Sequence, residues 1–139
     1  MFGEVVDGVM HLGAYGRVVR NCCAEIPLHF GHARLDTCVV MPNHVHTIIV
    51  LSDQTRLSVS QMRGIGEQFG RPVPGSLPTI IRSLKSAVSK RIKGLRGAPV
   101  GSVWQRGYYE HVIRDERELN EHREYMLQNP LRWSSQHGE

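Results

Sequence analysis

Two apolar runs rich in β-branched residues, Leu35 to Val40 and Thr47 to Leu51, flank the short stretch Met41-Pro42-Asn43-His44-Val45-His46. Nothing else in the chain constrains the fold as much. The composition predicts strands over 35–41 and 44–51, joined by a tight turn. Pro42 fixes φ and Asn43 tolerates turn geometry. A strand presents alternate residues to opposite faces, so His44 and His46 point the same way and their imidazoles can converge on one ion. The same spacing equally suits two surface or half-buried histidines.

At 139 residues the chain reads as a single domain, 1–139, long enough for a hydrophobic core without disulfide staples. No apolar run approaches the roughly 20 residues that span a bilayer, so no membrane partner is expected. Met1-Phe2-Gly3-Glu4 lacks the basic and apolar regions of a signal peptide. Cys22, Cys23 and Cys38 are an odd set without metal-knot spacing, which suits reduced thiols in a cytosolic protein. Charge is unevenly spread. Residues 71–114 hold nine Lys/Arg and one acid, Glu110, whereas 115–124 hold five acids. A basic block suits a polyanion such as nucleic acid, although a solvated helix face has the same composition.

Residues 2–12 read as a small hairpin around Asp7-Gly8, and 13–26 as a helix stopped by Pro27. Residues 52–76, rich in glycine and proline, read as an exposed flexible loop. Ser76 to Lys93 is the clearest helix, with Ser76 as cap and Pro78 in the first turn. Leu77, Ile80, Ile81, Leu84, Val88 and Ile92 form its apolar stripe, and Gly94 ends it. Its cations, with Arg106 beyond it, are candidate DNA contacts: Arg82, Lys85, Lys90, Arg91, Lys93 and Arg106. Val103 to Arg114 should contain a strand. Asp115 opens a last helix with Glu118 as its capping-box partner; Pro130 ends it near Asn129, and 134–139 is a polar, frayed tail.

Tyr125 and Asn129 are four apart and so share a helix face, with Glu121 one turn earlier. If that face meets the histidines, two imidazoles and an amide oxygen would hold a hard divalent ion with positions open to a phosphate. Tyr125 could then attack a phosphodiester and form a phosphotyrosine that preserves the bond for rejoining. Such a tyrosine needs activation, because a free phenol is protonated near neutral pH. A buried tyrosine with a satisfied hydroxyl is the plainer reading. Tyr108 and Tyr109 are rival nucleophiles, or platforms on which bases stack.

Three stretches in order resemble the REP-associated tyrosine transposases, relatives of single-tyrosine insertion-sequence transposases in the HUH endonuclease superfamily. They are Val40 to His46, Leu77 to Lys85, and Trp104 to Arg114 together with Glu124 to Pro130. The resemblance implies an α+β, ferredoxin-like fold with helices packed on an antiparallel sheet. It implies His44 and His46 as metal ligands, Tyr125 as the catalytic nucleophile, and Asn129 as a third metal-facing residue. It further implies Mg²⁺ or Mn²⁺, cleavage and rejoining of single-stranded DNA near hairpins, a homodimer, and a bacterial cytoplasmic, nucleoid-associated setting. Family members usually begin with a strand that precedes the part matching Phe2 to Gly8. Its absence is expected to leave the histidine-bearing strand with an unpaired edge. Two rivals stand beside the transposase. One is a shortened relative that binds hairpin DNA without cutting. The other is a hydrolytic His-x-His metalloenzyme acting on a small molecule, against which the basic block weighs.

Overall fold

The structure is a computed structural model that describes residues 1–52, 75–96, 103–104 and 108–137. The chain opens with β1 (Gly3–Val6) and β2 (Val9–Leu12), an antiparallel hairpin. Asp7 (φ 51°) and Gly8 (φ 75°) both take positive φ, the combination a two-residue I′ turn requires. Helix α1 (Ala14–Ala24) follows, then the single-turn α2 (Ile26–His29). Pro27 sits in the first turn of α2, where its missing N–H costs nothing, so it starts an element instead of stopping α1. Glu25 caps α1 before it.

The hairpin read from the two apolar runs is β3 (Ala33–Val40) and β4 (Val45–Leu51). They pair antiparallel from Ala33 opposite Leu51 to Val40 opposite Val45, with an irregularity at Asp36. Met41 N donates to the His44 carbonyl at 2.8 Å and closes the turn, so His44 lies at the turn's end and His46 inside β4. Among the described residues β4 pairs with β3 and with no other strand.

Helix α3 (Leu77–Arg96) buries Ile80, Leu84, Val88 and Ile92 of the stripe read from the sequence, while Leu77 and Ile81 are half-buried. Each such side chain contributes roughly 1.5–3 kcal/mol on leaving water. Gly94 is exposed inside the helix, which runs on to Arg96 instead of ending there. The stripe packs against Val19, Cys22 and Cys23 of α1, Ile26 of α2, and Ala33 and Val40 of β3. Phe2 closes one side against Trp104, ring centroids 5.5 Å apart. Helix α1 approaches the backbone so closely there that a Cβ on Gly16 would lie 2.1 Å from the Phe2 carbonyl oxygen. The three cysteines are free thiols; burial raises the affinity of Cys22 for its proton, and a hydrogen bond with Cys38, then burial, raises that of Cys23.

Helix α4 (Glu116–Leu127) is capped by Asp115, whose carboxylate accepts from Glu118 N at 2.8 Å. Helix α5 (Asn129–His137) begins two residues after α4 ends. The sequence placed 134–139 in a frayed tail; residues 134–137 are instead helical. Pro130 does prevent α4 from continuing, but its fixed φ suits the first turn of a new helix. Helix α5 leans on the first hairpin, where Gly8 N donates to Ser134 Oγ at 3.1 Å. The strand expected within 103–114 is absent from its described part, residues 103–104 and 108–114. Tyr109 and Val112 are exposed there. Residues that favour strands form one only beside an edge that takes their backbone bonds. The loop expected over 52–76 lies outside the described residues, except for Ser52, Gly75 and Ser76. All of this is an α+β fold of antiparallel hairpins with helices packed against them.

Candidate active site

The turn after β3 brings the two imidazoles face to edge. His44 Nε2 and His46 Nε2 are 3.0 Å apart, and the ring planes meet at 79°. His44 Nδ1 lies 2.6 Å from Asn43 Oδ1. An amide oxygen can only accept, so Nδ1 carries the proton and Nε2 keeps its lone pair. Burial lowers the proton affinity of His44; burial first, then the neighbouring His44, lowers that of His46. Both rings therefore favour the neutral form that ligates metals. Ligand atoms held at right angles about 2.1 Å from one ion would be about 3.0 Å apart, so the pair fits an octahedral divalent cation.

Helix α4 places Tyr125 beside this pair. Its ring centroid is 6.5 Å from that of His46, edge to face, and the side chain is about half exposed. Neither rival tyrosine has a described contact with the histidines. Tyr108 lies near Lys85, whose Nζ is 5.9 Å from the ring centroid. Burial, with Glu110 adding to it, raises its proton affinity. Tyr109 is fully exposed.

Asn129 is placed differently from the sequence expectation. Tyr125 and Asn129 do not share one helix, because α4 ends at Leu127 and Asn129 opens α5. Asn129 is buried, and its Nδ2 has no hydrogen-bond partner among the described residues. Glu121 forms an exposed pair with Arg117 at 3.1 Å.

Two residues that the sequence reading passed over complete the surroundings. Arg132 stacks its guanidinium 4.0 Å from the Tyr125 ring centroid. Its Nη2 donates to Gln128 Oε1 at 3.3 Å, while its Nη1 is buried and unpartnered among the described residues. Trp133 stands 6.2 Å from His44 and stacks on His137 at 4.0 Å. Both come from α5. Their spacing from Tyr125 would have pointed to them only if the helix break at Gln128 had been foreseen.

The candidate DNA contacts lie on α3. Arg82, Lys90 and Lys93 are exposed, and Lys85 is half-buried. Arg91 is exposed but tied to Glu25 by an ion pair. Arg106 lies outside the described residues. No described helix is long and apolar enough to cross a membrane.

The fold and site thus define a class: an α+β protein with a neutral His-x-His pair at a hairpin turn, faced by a helix-borne tyrosine. The chain belongs to one family with a Haemophilus influenzae protein described only as uncharacterized, with which it is 32% identical over 143 residues. That alignment covers 96% of this chain and 74% of the relative. It is also similar to a second H. influenzae protein, provisionally named a REP-associated tyrosine transposase, at 24% identity over 122 residues. Here the match covers 88% of this chain but 62% of the relative, less than two thirds of its length. No family model and no solved structure matches the chain.

Proposed function

We propose that this chain is a transposase-like enzyme of the REP-associated tyrosine kind, cleaving and rejoining single-stranded DNA near hairpins through a phosphotyrosine on Tyr125. The observation that carries the reading is the meeting of Tyr125 with His46 and Arg132 beside the imidazole pair. The similarity to the provisionally named transposase supports it.

In this reading His44 and His46 hold Mg²⁺ or Mn²⁺, with the amide oxygen of Asn129 as the third protein ligand. The ion, when bound, supplies Lewis-acid polarisation of the scissile phosphate. The remaining work belongs to side chains. The phenolic oxygen of Tyr125 attacks phosphorus; a P–O bond to the tyrosine forms and one P–O bond to deoxyribose breaks, releasing a sugar hydroxyl. Attack by a strand hydroxyl on the phosphotyrosine reverses the step and rejoins DNA. Arg132 orients the tyrosine ring and offers guanidinium N–H groups to a phosphate oxygen, as planar guanidinium donors do. Arg82, Lys85, Lys90, Arg91, Lys93 and Arg106 contact the phosphate backbone, and two copies of the chain act as a dimer.

Covalent trapping tests this. Labelled single-stranded DNA carrying short hairpins is mixed with the full chain, with Mn²⁺ or with EDTA, and resolved on a denaturing gel. A metal-dependent adduct is expected, lost in Tyr125→Phe and in His44→Ala. An adduct that persists in Tyr125→Phe would overturn the nucleophile assignment.

A second reading is hairpin-DNA binding without cleavage. It predicts hairpin binding by a folded chain with no adduct in any metal.

A further inference from the structure

We propose that His111, Glu118 and His122 form a second metal site, for a zinc-class divalent ion, separate from the His44–His46 pair. Their ligand atoms lie within 4.8 Å of one another, and they are the only such trio of His, Cys, Asp or Glu among the described residues. Two of the three share a face of one helix: Glu118 and His122 are a turn apart on α4, with Glu118 Oε1 3.8 Å from His122 Nε2. His111 comes from the preceding irregular segment; its Nε2 contacts the same Glu118 oxygen. The two imidazole rings lie 4.9 Å apart, tilted by 33°.

The carboxylate at the centre is held in place. Glu118 Oε2 accepts from Arg114 N at 3.2 Å, and Glu118 N donates to the Asp115 cap at 2.8 Å. Two imidazoles and one carboxylate are a donor set suited to zinc, with a fourth position left to water. Atoms bound about 2.0–2.1 Å from a tetrahedral ion are about 3.3 Å apart, so the widest of the three separations must close by up to about 1.5 Å while the His111–Glu118 contact opens. Both histidine side chains have room for this, being 60% and 38% exposed. An ion there would fasten the 108–114 segment onto α4, three residues before Tyr125 on the same helix. The inference does not depend on the chain being a transposase.

The test is Zn²⁺ titration of the full chain by calorimetry, with Co²⁺ visible absorption to report ligand geometry. The variant carrying His44→Ala and His46→Ala is expected to keep one equivalent of Zn²⁺. Adding His122→Ala, or separately His111→Ala, should weaken that equivalent by more than about tenfold. Loss of all Zn²⁺ binding in the double variant, with wild-type circular dichroism, would overturn the proposal; so would undiminished binding after His122→Ala. If the double variant does not fold, imidazole NMR of the wild-type chain decides. Zn²⁺ should then shift the ring signals of both His111 and His122, and unmoved signals would refute the site.

Discussion

At the scale of single residues, Arg132 is the least anticipated and most informative side chain. A buried guanidinium nitrogen without a partner among the described residues is uncommon in a folded protein. Here it lies over the tyrosine that would carry the strand. Truncation by Arg132→Met should slow cleavage by roughly 10²-fold, the usual loss of one charge-stabilising donor. The loss should fall mainly on kcat, with DNA affinity little changed, and Arg132→Lys should recover part of it. Single-turnover rates of adduct formation at saturating DNA check this; a pure KM effect would make Arg132 an ordinary backbone contact. The convergence of His44 and His46 was legible in the sequence because it is local, two residues around a turn. Arg132 and Trp133 were not, because their positions depend on the angle at which α5 leaves Gln128.

At the scale of elements, one ion pair fixes the tyrosine's helix to the histidine hairpin. Arg123 of α4 donates Nε to Asp36 Oδ2 at 2.8 Å and Nη2 to Asp36 Oδ1, at the irregularity in β3. The Arg123 hydrogen bonds, opposed by burial and helped by the Thr37 hydroxyl, hold the Asp36 carboxyl down to about 2, from an ordinary 3.8. The folded state therefore prefers the anion. The pair's contribution is complete above about pH 4 and is lost as pH falls toward 2. Arg123→Met leaves the Asp36 carboxylate with the Thr37 hydroxyl but without its guanidinium partner, and should lower the urea midpoint near neutrality. Urea midpoints should show the cost shrinking as the pH falls below about 4; a pH-independent cost would mean lost packing alone. Helices and hairpins with strong periodicity were legible, as α3 and the β3–β4 pair attest. The second helix after Pro130 and the absence of a strand from the described part of 103–114 were not. A proline marks a boundary without saying whether helix resumes, and strand propensity says nothing of whether an edge is available.

At the scale of the whole molecule, charge is segregated: the basic block falls largely on α3, while the acids of 115–124 lie at and along α4. Arg82, Lys90 and Lys93 are exposed, and among the described residues none has a salt-bridge partner. Arg91 is different, since its charge is already committed to Glu25. If single-stranded DNA crosses this helix, each exposed cation releases counterions, and each lowers the slope of log K against log salt by about 0.7. Replacing Arg82, Lys90 and Lys93 together by Gln should flatten the slope by about 2 and weaken binding of all sequences alike. Arg91→Gln should change it by less than about 0.7, because that guanidinium neutralises a carboxylate before DNA arrives. Fluorescence anisotropy of a labelled strand across a salt series reads both. An unchanged slope in the triple variant, with cleavage retained, would mean that the strand reaches Tyr125 by a path that does not cross α3.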